Sequence, residues 1–195
     1  MNLNIGVMGG AFDPPHAGHV AIAHSFVNSD VIDQLWVLPT PVPPHKQSDE
    51  LTEYRHRLEM TKLCYEDEPS IQVDDFESGL PAPQYTYNTL QQLSKSYSHY
   101  SFKLCIGEDS LSTIKTWYKW EELLRDYDIL VAKRPGFKVD PEFNSERIYY
   151  VDHQPSDISS TKVREVLNTG RIPDEFLCEK LPDYIKKNRL YFYQS

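Results

Sequence analysis

Six short apolar runs alternate along this chain with segments patterned as amphipathic helices, and this alternation restricts the fold more than any other feature. The runs are "LNIGVMG" from residue 3, "QLWVLPT" from 34, "SIQVDDF" from 70, "FKLCIG" from 102, "DILVAKR" from 128 and "RIYYVDH" from 147. Several are apolar at consecutive positions, as strands are when both faces of a sheet are covered. Between them, residues 53–66 set Tyr54, Leu58, Thr61 and Tyr65 on one helical face, and residues 87–97 do the same with Leu90, Leu93 and Tyr97. After Ser159, the residues Val163, Val166 and Leu167 recur at helical spacing, and Gly170 offers a stop. Strands joined through helices run parallel with right-handed crossovers, so the expected class is α/β, a doubly wound parallel sheet. Neither a repeat nor a linker interrupts the pattern, and 195 residues suit one domain, 1–195. The proline-rich "PTPVPPHK" follows the second run and so lies at a strand's carboxyl end, the edge where such sheets bind ligands.

Charge narrows the choice of ligand. The formal net charge is −9, from 20 Lys and Arg against 29 Asp and Glu. That balance disfavours a general nucleic-acid or anionic-membrane binder, which needs a basic face. Any phosphate must be gathered by a local pocket working against the overall field. Cys64, Cys105 and Cys178 are odd in number, widely spaced and without a CxxC pair. They read as buried free thiols of a reducing compartment, not as disulfides or zinc ligands. The first residues lack a signal-peptide pattern and no run of 18 apolar residues occurs. The expectation is a cytoplasmic protein.

The stretch "GVMGGAFDPPHAGHVAIAHSF" leaves the first strand through Gly9 and Gly10 and enters a helix near Gly18 and His19. Glycines permit a sharp turn or a close backbone approach to a ligand. The helix start offers free N–H groups and a positive dipole end, with His16 and His19 three apart beside it. A glycine–proline turn with two surface histidines is the plain alternative, and the stretch by itself favours a phosphate cradle over it only modestly. A zinc site fits less well without a third ligand. In "DISSTKVRE", residues 157–165, Ser159, Ser160 and Thr161 are N-cap candidates, with Arg164 one turn into the helix. Together they make either a plain cap with a solvated arginine or an anion site. "CIGEDSL" ends the fourth strand at Gly107 and Asp109, and "KTWYKW" follows, with aromatic residues at a spacing that usually marks core.

"GGAFDPPHAGH" closely resembles the signature GGTFDPxHxGH of the T/HxGH-motif nucleotidyltransferases, with Ala11 where Thr is usual. Within them the chain is similar to the bacterial nicotinate mononucleotide adenylyltransferases. "ISSTKVR" matches their ISSTxIR, with Val163 for Ile. The resemblance runs from Gly6 to the final "LPDYIKKNRLY" and carries two phosphate motifs in the expected order. It implies a Rossmann-like fold in which His16 and His19 contact the ATP phosphates and steady the transition state. It implies likewise that Ser159, Ser160, Thr161 and Arg164 grip the β- and γ-phosphates, and that Gly9, Gly10, Ala11 and Phe12 lie along the nucleotide. Gly107 and Asp109 would meet the adenosine, and Arg134 of "AKRPG" would sit near it. On the acceptor side, Lys46 of "PVPPHK" would contact substrate phosphate and Trp117 would stack on the pyridine. Backbone near Thr86 and Tyr118, beside Tyr85, would hold the nicotinate carboxylate. The chain departs from the family's R-x-G-P-S-Y-T-x-D-T at Leu80, Ala82, Gln84 and Asn88.

The implied reaction is transfer of AMP from ATP to nicotinate mononucleotide, giving nicotinate adenine dinucleotide and pyrophosphate in NAD biosynthesis. The acceptor phosphate is already an anion, so neither a general base nor a covalent intermediate is needed. Mg²⁺ is expected to arrive with ATP, since no acidic cluster looks like a dedicated metal cage. The partners would be ATP and nicotinate mononucleotide, with no nucleic acid and no membrane; a homo-oligomer is compatible with the sequence. Two other readings share these motifs. One is the same chemistry on nicotinamide mononucleotide or another phosphorylated acceptor. The other is a catalytically silent nucleotide sensor, which the presence of His16, His19 and Arg164 disfavours.

Overall fold

All six apolar runs form strands. They are β1 (Leu3–Gly10), β2 (Gln34–Pro39), β3 (Ile71–Val73), β4 (Tyr100–Gly107), β5 (Asp128–Lys133) and β6 (Ile148–Asp152). These bounds come from a computed structural model in which residues 2–44, 51–133, 140, 143, 145–154 and 157–192 are described. The helices are α1 (Ala17–Val27), α2 (Tyr54–Tyr65), α3 (Thr86–Ser96), α4 (Glu108–Ser112), α5 (Trp120–Asp126), α6 (Ser160–Asn168) and α7 (Leu181–Asn188). Every ladder is parallel, in the order β3-β2-β1-β4-β5-β6. The doubly wound expectation therefore holds. The third run is shorter than its apolar character suggests. Asp74 Oδ1 accepts the Phe76 N–H at 2.8 Å and turns the chain into a short 3₁₀ segment over Phe76–Gly79.

The order of the sheet reverses between β1 and β4, and the register there opens a crevice. β1 pairs with β4 from Leu3–Tyr100 only as far as Val7–Leu104. Its last residues stay with β2, ending at Gly10–Pro39, while β4 stays with β5 to Gly107–Ala132. The two central strands part at their carboxyl ends, which is where an open α/β sheet receives its ligand.

Two apolar layers cover the sheet, and the strands feed both by alternation. Leu104, Ile106, Ile129 and Val131 face the layer holding Leu90, Leu93 and Leu123, from α3 and α5. Their neighbours Cys105, Leu130 and Ala132 face the layer with Ala23 and Phe26 of α1. Each large side chain so buried contributes roughly 1.5–3 kcal/mol. This is why the runs read as continuously apolar.

A third cluster, Met60, Val163, Leu167, Leu177, Leu181 and Ile185, packs α2, α6 and α7 together. It overturns part of the expectation for cysteine. Cys105 is a buried free thiol, and burial pushes its pKa well up. Cys64 and Cys178, however, are disulfide-bonded, with Cα atoms 5.4 Å apart across 114 residues of sequence. Packing α2 against the segment before α7 brings the two together, and spacing in sequence carries no trace of that. At the end of α6, Gly170 takes φ +84°, the left-handed conformation that stops the helix as expected.

Candidate active site

The loop from β1 into α1 delivers both histidines of the first motif to the mouth of the crevice. His16 is the extended N-cap of α1 (φ −151°). Its N–H donates to Nδ1 of His19 at 3.2 Å, and the His19 N–H donates back to the His16 carbonyl at 2.8 Å. The two imidazole rings lie 3.8 Å apart between centroids. His16 is 6% exposed, and its Nδ1 has no hydrogen-bond partner among the described residues. Burial lowers its pKa from 6.5 to about 4, so the ring is neutral at neutral pH. A neutral imidazole beside a helix N-terminus offers an N–H to a phosphate oxygen without the cost of a buried charge.

Folding brings the second motif onto the first. Ser159 caps α6, its Oγ accepting the Lys162 N–H at 3.2 Å, so the capping role holds. Ser160 Oγ donates to the Pro14 carbonyl at 2.9 Å, across 146 residues. Arg164 donates from Nη1 to the Asp13 carbonyl at 2.6 Å and from Nη2 to Thr161 Oγ1 at 3.4 Å. The α6 start and the α1 start thus form one cationic, donor-rich rim, held by the backbone of Asp13 and Pro14.

Cavities run along the crevice on both sides of β1. On the α1 side, His16, His19, Gly107, Asp109 and His153 line a chamber. Gly107 caps α4, and Asp109 sits in its first turn. On the α3 side, Gly9, Gly10, Ala11, Glu77, Thr86 and Trp117 line a second chamber. A middle cavity lined by Gly9, Gly10, Phe12, His19, Gly107 and Trp117 joins them. A Cβ placed on Gly9 would meet nothing within 4 Å, so the bare backbone faces open space. Glycine leaves room there for a ligand against the peptide.

The second chamber is polar at one end and aromatic at the other. α3 starts at Thr86 with Tyr85 as N-cap; among the described residues no side chain caps it, and no acid sits in its first turn. Its free N–H groups open beside Trp117, Tyr85 and Tyr118, where the tyrosine rings lie 4.6 Å apart. This arrangement offers donors to an anion and a flat wall to a ring. Gln84, which replaces the family's Ser, braces this end: its Oε1 accepts the Val42 N–H at 2.9 Å, and its Nε2 donates to the Leu80 carbonyl at 3.1 Å. Asn88 is exposed and stands in the first turn of α3, two residues after Thr86. Lys46 and Arg134 fall outside the described residues.

Three buried polar groups escaped the sequence reading. Arg57 is 1% exposed and donates to the carbonyls of Ala11, Thr40, Pro41 and Thr52 at 2.8–2.9 Å, joining the loops after β1 and β2. Burial lowers its pKa, with Asp13 opposing that shift. Its only hint was a charge next to Leu58 on an apolar helix face. Glu77 is 4% exposed, and its Oε1 accepts from Thr89 Oγ1 at 2.7 Å. Burial raises its pKa. Asp13 is 1% exposed and is bonded by Tyr191 and Thr52.

A family model described as Cytidylyltransferase-like matches residues 7–166. Nicotinate-nucleotide adenylyltransferase of Bacillus subtilis (strain 168) is 34% identical, over 96% of this chain and 97% of that protein. The probable nicotinate-nucleotide adenylyltransferase of Bacteroides fragilis (strain YCH46) is 36% identical, over 85% of this chain and 83% of that one. Among solved structures, the nicotinic acid mononucleotide adenylyltransferase of Plasmodium falciparum complexed with NaAD superposes with a TM-score of 0.81. It is 24% identical over 97% of both chains, a likeness of fold.

Proposed function

The chain belongs to the cytidylyltransferase-like nucleotidyltransferases, and from that footing we propose that it transfers AMP from ATP to nicotinate mononucleotide, releasing pyrophosphate. One observation carries the reading. The α6 start donates hydrogen bonds from Ser160 and Arg164 to the Asp13–Pro14 backbone that leads directly into the α1 start, at a crevice with one chamber on each side of β1. The chamber lined by Gly107 and Asp109 takes the adenosine. The chamber under Trp117 takes the pyridine, with its carboxylate on the α3 N–H groups.

Catalysis on this reading is positioning plus charge stabilisation. The acceptor phosphate lies in line with the α-phosphorus near Gly9 and Gly10, and His16, His19 and Arg164 receive the charge that develops on the leaving pyrophosphate. Ser160, Thr161 and the α6 N-terminus orient the triphosphate. Mg²⁺ prefers oxygen ligands and retains water. Among the described residues no three His, Cys, Asp or Glu side chains gather around one point. Mg²⁺ would arrive with ATP and neutralise charge on the triphosphate. Among the described residues no helix is long and apolar enough to cross a membrane.

N–H groups at the α3 start donate to both oxygens of a carboxylate, whereas an amide would turn an N–H toward them, at roughly 1–3 kcal/mol per unmade bond. Pyrophosphate release with ATP and Mg²⁺ against a panel of acceptors tests the whole reading. Nicotinate mononucleotide should give the highest kcat/KM. Equal rates with nicotinamide mononucleotide would refute the assignment of the α3 donors, and no release with any acceptor would refute the reaction.

A further inference from the structure

The loop that delivers His16 is held from outside itself. Phe12 takes φ 47°, a left-handed conformation that a bulky side chain enters only at a cost, so the surroundings must enforce it. Arg57 Nη1 holds the Ala11 carbonyl at 2.8 Å, Arg164 Nη1 holds that of Asp13 at 2.6 Å, and Ser160 Oγ holds that of Pro14 at 2.9 Å. The remaining fastening comes from the far end of the chain. Tyr191 Oη donates to Asp13 Oδ1 at 2.6 Å, across 178 residues, while the Thr52 N–H donates to Oδ2 at 3.4 Å.

The tail is shaped to make this contact. After α7, Arg189 takes φ 53° and Tyr191 φ 64°, so the chain turns back on itself. Leu190, Tyr191 and Phe192 pack against the cluster between α2, α6 and α7. Apolar packing therefore anchors the tail, and the Tyr191 hydroxyl is left to serve Asp13. Burial, reinforced by the Asp13 carboxylate, pushes the phenol well above its usual pKa, which keeps it a donor.

We propose that Tyr191 is a positioning residue for the triphosphate: through Asp13 it holds the backbone between Phe12 and His16 so that both motif histidines meet the phosphates. It rests on the reading that this crevice takes ATP, and it acts on the α1 side of β1 alone. The phenol makes no step of the reaction itself. Removing the hydroxyl leaves a buried carboxylate short of one donor, and the loop relaxes to find another.

The test is calorimetric titration of ATP–Mg²⁺ into wild type and Tyr191→Phe, with steady-state kinetics on the same samples. ATP affinity and kcat should each fall about tenfold in the variant, as expected for one lost bond to a buried charge. The KM for the pyridine nucleotide should stay within about twofold, because its chamber lies on the other side of β1, and the thermal midpoint should move only a few degrees. In Asp13→Asn/Tyr191→Phe the two losses should not add, since the residues act as one unit. Unchanged ATP affinity and kcat in Tyr191→Phe overturns the proposal. So does an equal loss for both substrates with a large drop in midpoint, or a variant that does not fold, because the hydroxyl would then support the fold at large. A wild type that binds no ATP overturns the proposed reaction, and this inference with it.

Discussion

Lowering the pH should destabilise this protein through His16 in particular. Its pKa falls from 6.5 to about 4 on burial. The folded state therefore binds fewer protons than the unfolded state between those values. The contribution to stability is fully present above 6.5 and is lost as the pH falls through about 4. The full shift corresponds to about 3 kcal/mol, of which about 2 kcal/mol is lost between pH 7 and pH 5. Urea unfolding of wild type and His16→Gln at those two pH values isolates the effect, since the amide does not titrate. Wild type should lose about 2 kcal/mol more than the variant over the interval. Saturating ATP should shrink that difference, because a phosphate against the ring favours the imidazolium. If the two proteins lose stability equally, His16 is not a buried neutral group, and the account of its N–H as an uncharged donor fails.

His19→Ala should fold and bind yet lose roughly 10²–10³ in kcat, the usual cost of one preorganised donor to transition-state charge; more than half of wild-type kcat would remove His19 from the chemistry. Arg164→Lys keeps the charge but not the fork that spans the Asp13 carbonyl and Thr161 Oγ1. Its ATP KM should rise about tenfold in the pyrophosphate assay, and an unchanged KM and kcat would remove α6 from the triphosphate site. Cys178→Ser opens a loop of 114 residues, which costs about 4–5 kcal/mol by chain entropy and lowers the thermal midpoint by about 10 °C or more. Thiol titration of unreduced, denatured wild type should find one free cysteine, and three would refute the bond.

The strands and the two motif-bearing helix starts were legible because their signals are local. A strand buried on both faces must be apolar at successive residues, and "FKLCIG" and "DILVAKR" are. A helix that stops needs a residue at home with positive φ, and Gly170 supplies it. The glycines and histidines of "GGAFDPPHAGH" are legible through their match to the family signature, and the structure brings both histidines to the start of α1. The short β3 was less legible, because the Asp74 side chain turns the backbone where apolar pattern alone would extend the strand.

The sequence by itself determined the class of fold, the edge of the sheet where the candidate site lies, and the residue types gathered at that edge. Periodicity, glycine freedom and helix capping act within a few residues, so they can be read along a line. Only the tertiary structure decided which distant groups share one buried volume. Arg57 looks like any charged helix residue until four carbonyls from three separate segments surround it. Cys64 and Cys178 look like isolated thiols until α2 packs against the segment before α7. Tyr191 looks like a tail residue until the chain doubles back onto Asp13. A buried polar group must find its partner wherever the packing places one, and the order of strands and helices in space, not neighbours in sequence, sets that place.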